Sequence, residues 1–448
     1  MIKKLENNNF ISNFEKSNEY RRVIHGLIPG GAHTYSKGDD QFPINSPAAI
    51  SHGKGAYVWD PDGNKYLDAL MGLTSVSLGH AFEPVLNRVR EELIKGSNFS
   101  RPSIIEREMA EKFLSLLPQH DMIKFAKNGS VATTAAVKLS RAYTGRKIVA
   151  RPYDHPFYSY DDWFIGSTDC DFGVPSEIKD MTVMYKADDL SSLEMLFQKY
   201  PNQIACIISE PEKFNIIEPN FYDKAIELAH ENGALWVMDE MITGFKTDYP
   251  GSIKKFNAKP DLATWGKGIA NGFSFCALTG KKEVMNLGGI KDENSKKLFL
   301  VSTTHGGETA SIGAALATME FFEKNSVVEY NKTIGQYFID GATKIFYNHK
   351  VEEYFSLTGF NWSVGLIVKN QKKEPCMFYR TLFMQEMIKR GVLYQGILSP
   401  CFSMTKKDID LMLEAFNDSV IVFKKALEKG YDNFLIGSEI KPVFRKYN

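Results

Sequence analysis

The sequence predicts an α/β protein built on a mainly parallel sheet that is covered by helices on both faces, with a smaller α+β region. The middle of the chain alternates short apolar runs with helical patterns, and neither end shows this alternation. No Pro/Gly/Ser-rich linker divides the chain. Strand–helix–strand alternation at this spacing is typical of parallel sheets, whose strands are buried on both faces.

Composition excludes several classes of protein. The chain has 448 residues, 43% of them hydrophobic, which argues against disorder. Lys+Arg 54 balances Asp+Glu 54, which argues against a basic nucleic-acid binder. No apolar run is long enough for a membrane helix or a signal peptide. Five cysteines without a CxxC or Cys/His cluster predict a reduced, cytoplasmic protein with no metal site.

The elements are expected in the following order. A hairpin is expected over Ala56–Asp68, where Asp62-Gly63 is a two-residue turn signal. Buried strands are expected at Lys147–Ala150, Ile204–Ser209, Ala234–Met238 and Phe273–Thr279. Helices are expected at Tyr222–Asn232, which ends at a capping Gly233, at Thr309–Phe322 and at Asp408–Phe416. We expect residues 1–75 to contribute to a small domain, 76–325 to form the large α/β domain, and 326–448 to form the small α+β domain.

A carboxylate and a lysine mark the most informative region. Asp239 lies at the carboxyl end of an apolar strand, and Lys267 stands between two glycines after a further strand-like run. Ligands of open α/β sheets bind beyond the carboxyl ends of the strands, so both side chains can reach one ligand. A lysine amine can form a Schiff base with an aldehyde, and a buried aspartate can hold a pyridine nitrogen protonated. The plain alternative is a loop-capping aspartate and a solvated lysine.

A second candidate is the turn Asn128-Gly129-Ser130, which opens a helical pattern. The free N–H groups of a helix N-terminus bind phosphate, Gly129 allows close approach, and Ser130 can donate its hydroxyl. Ordinary helix capping by Asn128 or Ser130 is the alternative. The run Ser302–Gly307, STTHGG, precedes another helix and offers a further hydroxyl in the same way.

Together these motifs resemble the class III aminotransferases, pyridoxal phosphate (PLP) enzymes of fold type I. The chain looks most like the glutamate-1-semialdehyde 2,1-aminomutase-like branch, from about Ile28 to the C-terminus. The resemblance is carried by IPGG (Ile28–Gly31), GKGAYVWDPDGNKYLDALMG (Gly53–Gly72), LGH (Leu78–His80), DEMITGF followed by GKGIANG, and STTHGG.

The resemblance implies a role for each matching residue. Lys267 would form the Schiff base with PLP, and Asp239 would pair with the pyridine nitrogen. Gly129 and Ser130 would hold the phosphate. The remaining matches are Phe157 as the aromatic residue that stacks on the ring, unless it is a core residue, Glu210 near the site, and Thr304 on the phosphate of the neighbouring subunit's cofactor. A homodimer with shared sites follows from the last assignment.

The implied function is transamination between a small-molecule amine and a carbonyl substrate. An intramolecular aminomutase is the alternative, and a racemase, a non-catalytic subunit and a nucleotide-binding protein are weaker ones. The branch normally carries an arginine in the run after IPGG, where this chain has His33–Lys37. Val131 likewise replaces an acidic residue. The missing arginine argues against glutamate-1-semialdehyde itself. Variants of this kind, with the stretches AHTYSKGDDQ (Ala32–Gln41) and IKPVFRKYN (Ile440–Asn448), resemble relatives associated with surface-polysaccharide or modified-sugar pathways. No nucleic acid, membrane or metal is expected as a partner.

Overall fold

A computed structural model describes residues 10–213, 216–294 and 296–448. The strands are β1 His52–Lys54, β2 Tyr57–Trp59, β3 Lys65–Asp68, β4 Met122–Ala126, β5 Ile148–Pro152, β6 Thr182–Tyr185, β7 Ile204–Ser209, β8 Leu235–Glu240, β9 Leu262–Trp265, β10 Cys276–Gly280, β11 Phe355–Phe360, β12 Ser363–Val368, β13 Val392–Leu393 and β14 Ile397–Leu398.

The α-helices vary from single turns to more than 20 residues. They are α1 Glu15–Ile24, α2 Met71–Thr74, α3 Glu83–Lys95, α4 Ile104–Leu114, α5 Gly129–Thr144, α6 Asp162–Ile165, α7 Ser176–Lys179, α8 Leu190–Lys199, α9 Phe221–Glu231, α10 Ser252–Lys255, α11 Lys282–Met285, α12 Thr309–Lys324, α13 Val327–His349, α14 Met377–Lys389 and α15 Lys406–Lys429. Among the residues that the structure describes, no helix is both long and apolar enough to span a bilayer.

The chain divides into two compact units. The small unit comprises the residues up to Leu73, Leu78–Phe82 and Glu329–Val443. The large unit comprises Thr74–Ser77, Glu83–Val328 and Phe444–Asn448. The last five residues thus group with the middle of the chain, whereas the sequence-based boundaries assign them to the C-terminal region. Phe444 packs against Phe164, with the ring centroids 6.1 Å apart.

The large unit contains a seven-stranded sheet in the order β4-β10-β9-β8-β7-β5-β6. The strands from β9 to β6 are parallel, whereas β10 runs antiparallel to both β4 and β9. The prediction of a mainly parallel sheet is confirmed. The strand predicted at Phe273–Thr279 begins three residues later, at Cys276, because Phe273 and Phe275 close turns by bonding to Ala270 and Phe273.

Helices cover both faces of this sheet, as predicted. Along β8, Leu235 and Val237 join the apolar cluster beneath α5, while Trp236 on the opposite face contacts Tyr222 of α9. Because side chains alternate along a strand, Asp239 lies on the same face as Leu235 and Val237. This alternation directs the Asp239 carboxylate toward the face that carries α5.

The small unit holds two smaller sheets, β1-β2-β3-β13 and β11-β12-β14. Strands β2 and β3 form the predicted hairpin, but its turn is longer than the predicted two residues. Trp59 pairs with Lys65, which leaves a five-residue loop. The Asp60 carboxylate accepts a bond from the Asn64 N–H at 2.8 Å, and Gly63 has a φ of 87°. Because the Asp60 carboxylate caps the loop, the turn spans residues 60–64 and not the Asp62-Gly63 pair alone.

Candidate active site

Three adjacent strands of the large unit place polar side chains at their carboxyl ends. Glu210 follows the last residue of β7, Asp239 lies near the end of β8, and Lys267 comes two residues after β9. Strand pairing aligns Ser209 with Met238 and Asp239 with Thr264. The structure therefore brings Glu210, Asp239 and Lys267 to one edge of the sheet, because parallel strands lie about 4.8 Å apart.

The Asp239 carboxylate is buried, with 3% of the residue exposed. Its Oδ1 accepts hydrogen bonds from Thr264 Oγ1 at 2.7 Å and from the Met241 N–H at 3.1 Å. Burial, followed by the charge of Glu210, raises the pKa of Asp239 to about 6, against the Thr264 bond and the charge of Lys267. A positive charge close to such a buried carboxylate would stabilise its ionised form.

Lys267 has a left-handed backbone, with φ at 49°. Non-glycine residues in this region are strained and concentrate at functional sites. Burial lowers the pKa of the Lys267 amine, although the charges of Glu210 and Asp239 oppose the effect. A lysine with a lowered pKa carries more of the neutral amine, which is the nucleophilic form.

Glu210 is fixed by contacts that the sequence alone did not indicate. Its carboxylate accepts a hydrogen bond from Lys213 Nζ at 2.8 Å, and its backbone N–H donates to the Tyr158 hydroxyl at 3.2 Å. The same hydroxyl lies 2.6 Å from Nδ1 of His155. Burial lowers the pKa of His155 to about 4, so its ring is neutral near pH 7.

The N-terminus of α5 forms the second part of the site. Asn128 caps the helix by accepting a bond from the Val131 N–H at 3.0 Å. Of the two residues considered as helix caps, Asn128 is therefore the one that caps. Ser130 does not cap; its hydroxyl accepts a bond from the Tyr160 N–H at 3.1 Å, and its proton stays available for donation. The first N–H groups of any helix have no partner within it. These donors suit an anion.

One methionine connects the two parts of the site. A Cβ on Gly129 would lie 3.0 Å from the Met241 sulfur, and a Cβ on Gly266 would lie 2.6 Å from the same sulfur. Met241 therefore packs between the first residue of α5 and the residue that precedes Lys267. A side chain at either glycine would push the helix or the lysine away.

The other two site candidates are more exposed. Phe157 is 47% exposed and packs edge-on against Phe164, with the ring centroids 5.6 Å apart. It is not a core residue, although its neighbour Tyr158 is buried. Thr304 lies in an exposed turn of the large unit, five residues before the start of α12.

These groups fit PLP. The cofactor combines an aldehyde, a pyridine nitrogen and a phosphate. The structure offers an amine of lowered pKa, a buried carboxylate and a helix N-terminus on one side of one sheet. Each chemical group of the cofactor thus has a matching residue in this unit.

Comparison with known proteins agrees with this arrangement. The family model for class-III aminotransferases matches residues 35–420. The chain is 28% identical over 441 residues to 3-aminobutyryl-CoA aminotransferase of Cloacimonas acidaminovorans, covering 95% of this chain and 100% of that protein. It is 30% identical over 403 residues to glutamate-1-semialdehyde 2,1-aminomutase of Thermus thermophilus, covering 84% of this chain and 92% of that protein.

A solved structure gives the same fold. The FumI protein of Sphingopyxis sp. MTA144, whose structure contains PLP, superposes with a TM-score of 0.84 at 22% identity. The superposition covers 92% of this chain and 97% of that one. The fold is that of the PLP-dependent transaminases of fold type I, as the sequence predicted. The chain belongs to the class-III aminotransferase family, with pyridoxal phosphate as its cofactor.

Proposed function

We propose that this enzyme transfers an amino group between two small molecules, with Lys267 as the PLP-binding and proton-transferring residue. One observation carries the proposal: the Lys267 amine, with its pKa lowered by burial, lies beside the carboxylates of Glu210 and Asp239 at adjacent strand ends. The plain alternative, a solvated surface lysine, would keep its ordinary pKa.

Each residue then has a defined task. When bound, PLP supplies an aldehyde that captures amines and a ring that draws electrons from the substrate. Nζ of Lys267 would take the proton from the substrate α-carbon as general base and deliver it to C4′ of the cofactor as general acid. The Asp239 carboxylate would keep the pyridine nitrogen protonated. Gly129 and Ser130 would hold the phosphate at the N-terminus of α5, and Phe157 would stack on the ring.

Spectroscopy on a small set of variants tests these assignments. Wild-type protein incubated with PLP should absorb near ~410–430 nm, as expected of a lysine adduct. Lys267→Ala should lose both this band and turnover, whereas Lys254→Ala, which changes an exposed lysine, should keep both. Retention of the band and of turnover in Lys267→Ala would refute the central assignment.

Transfer between two molecules is favoured over transfer within one. The arginine expected after IPGG is replaced by Lys37 of the run His33–Lys37, which exchanges a planar, two-pronged guanidinium typical of the aminomutase branch for a single ammonium. A required second carbonyl substrate that is consumed in equal amount would support transamination. Rapid isomerisation of glutamate-1-semialdehyde without an added acceptor would support the mutase instead. The carbonyl substrates tested as acceptors should include keto sugars, because we also propose a role in surface-polysaccharide or modified-sugar metabolism.

We further propose a homodimer in which Thr304 contacts the phosphate bound by the partner subunit. The supporting observation is a set of exposed apolar side chains near this turn. Ile94 and Ile104 are 86% and 88% exposed, and they flank Ser97, whose carbonyl accepts a bond from the Thr309 N–H at 3.0 Å. Exposed apolar side chains of this size can be buried by a partner subunit.

Mixing variants tests the shared site. Heterodimers of Lys267→Ala and Thr304→Ala subunits should regain one intact site, because the intact Lys267 of one subunit and the intact Thr304 of the other would then hold the same cofactor molecule. Thr304→Ala alone should weaken PLP binding about tenfold, as for the loss of one bond to a charged group. Mixed dimers no more active than the Thr304→Ala homodimer would place Thr304 in its own subunit's site.

The five free cysteines fit a cytoplasmic location.

A further inference from the structure

We propose that Lys213 is a positioning residue, whose ion pair with Glu210 sets the charge around the Lys267 amine. This inference rests on the proposed assignment of Lys267. None of the family's motifs in this chain includes Lys213. The residue acts through Glu210 and is not expected to touch the substrate.

A tight turn after β7 creates the pair. Pro211 and Glu212 occupy its centre, and Glu212 adopts a left-handed φ of 48°. Pro followed by a residue of positive φ is the arrangement of a type II turn, which reverses the chain within four residues. Lys213 therefore returns toward Glu210, and its Nζ lies 2.8 Å from Oε1.

The pair is held away from solvent. The side chain of Glu210 is 3% exposed and that of Lys213 is 14% exposed. Charges in such a position are screened weakly by salt and water, so each acts on its neighbours over several ångströms. The balance between the two charges therefore matters to any titratable group beside them.

Lys267 is such a group. The titratable groups that face its amine are Glu210, Lys213, Asp239, Cys276 and Lys246. Of these, Glu210 and Lys213 act on the amine with opposite sign: the carboxylate favours the protonated amine and the ammonium disfavours it. With both present each offsets part of the other's effect, and with one removed the other acts unopposed by its partner.

A second lysine–glutamate pair provides a matched control. Lys255 Nζ lies 2.5 Å from Oε1 of Glu212, whose side chain is also 3% exposed. Glu212 stands two residues further along the chain from Glu210, but neither it nor Lys255 is among the groups with the largest effect on Lys267. Its removal tests whether the loss of any buried ion pair in this loop produces the same effect.

The experiment follows the absorbance of bound PLP as a function of pH, which reports the protonation of its link to Lys267. Lys213→Met should raise the spectroscopic pKa by about one unit, because Glu210 then acts unopposed. Glu210→Gln should lower it by about one unit for the converse reason. The double variant Lys213→Met/Glu210→Gln should return close to the wild-type value, Lys213→Arg should match it, and Lys255→Met should leave it unchanged.

The outcomes separate this inference from the proposed function. Absence of a PLP band in wild-type protein would overturn the assignment of Lys267 and with it this inference. A normal band with equal spectroscopic pKa values in all variants would overturn the role of Lys213 alone. Shifts of the same sign in Lys213→Met and Glu210→Gln would also overturn it, since a merely structural pair has no opposed effects. If Lys213→Met does not fold, the sign in Glu210→Gln and the rescue by Lys213→Arg decide.

Discussion

Two buried aspartates at opposite edges of the same sheet have opposite electrostatic settings. Asp261 stands just before β9, at its amino end, and accepts bonds from the His230 ring at 2.8 Å, from Lys281 Nζ at 2.6 Å and from the Trp236 N–H at 2.8 Å. Burial alone would raise the pKa of Asp261, but these partners lower it overall. Asp239, at the carboxyl end of β8, has its pKa raised.

The difference shows what each carboxylate contributes. Asp261 is neutralised within the chain, so its ionised form stabilises the fold. The ionised form of Asp239 destabilises the folded chain, and a cation on a bound ligand would stabilise it. The amino edge of the sheet therefore serves stability, and the carboxyl edge is reserved for chemistry.

Removal of the Asp239 charge should give the largest functional effect. Asp239→Asn should lower kcat about a hundredfold or more, because no carboxylate then stabilises charge on the cofactor ring. The measurement is steady-state turnover at saturating PLP. Activity within a fewfold of wild type would contradict the assigned role of Asp239.

The same variant should gain stability in the absence of PLP. The raised pKa means that ionised Asp239 destabilises the fold as the pH rises from about 4 to about 6, so its removal should add up to about 3 kcal/mol at pH 7. Urea unfolding of the PLP-free protein measures this gain. A loss of stability would indicate that Asp239 is a structural carboxylate like Asp261.

Removal of the Asp261 charge should do the reverse. Asp261→Asn leaves Lys281 and His230 without their carboxylate and should lower the free energy of unfolding by about 2–3 kcal/mol. At temperatures where the variant is folded, kcat should stay within about twofold of wild type, since Asp261 lies at the opposite edge of the sheet. Calorimetry and turnover on the same samples check both parts.

Acid should reduce the difference between wild type and Asp261→Asn. Because the pKa of Asp261 is lowered in the folded chain, its contribution is present above the pKa of the unfolded state, near 4, and is lost as the pH falls further. Urea unfolding between pH 3 and 7 should therefore show the two proteins converging at the acid end. A constant difference would mean that hydrogen bonding, and not charge, stabilises this edge.

The smallest effect is expected from Thr264→Val, which removes a 2.7 Å bond to Asp239 while keeping the side-chain shape. The bond favours the ionised carboxylate, so its loss should raise the pKa of Asp239 and shift the acid limb of kcat/KM to higher pH. The ionised Asp239 carboxylate should lose about 1 kcal/mol of stabilisation. Thr318→Val, whose hydroxyl bonds the Ala314 carbonyl within α12, should leave the profile unchanged.

Local patterns were sufficient to predict much of this architecture. Strand β7 has the predicted bounds, and the helix predicted at Tyr222–Asn232 is shifted by one residue and followed by Gly233 with a φ of 68°. Asp239 and Lys267 could be found because apolar strands and flanking glycines mark them in the sequence. Their meeting followed from the rule that parallel strands end at one edge.

Features that depend on distant contacts could not be predicted in this way. His155 and Tyr158 meet Glu210 only after the strands assemble, and no local pattern sets them apart from surface residues. The direction of β10 was missed although a signal existed. The ten residues between Trp265 and Cys276 are fewer than a parallel crossover normally needs, which favours an antiparallel strand.

The position of β4 also has a consequence for how the protein folds. Within the sheet β4 pairs with β10 alone, and its Ala126 lies opposite Cys276, about 150 residues later in the chain. Contacts of such sequence separation form late, since a long loop must close before they are gained. A chain emerging from the ribosome would therefore complete β5 to β9 before β4 brings the N-terminus of α5 into place. The phosphate-binding end of the site would then be one of the last parts to form, and a growing chain would not retain the cofactor until nearly two thirds of it had been synthesised.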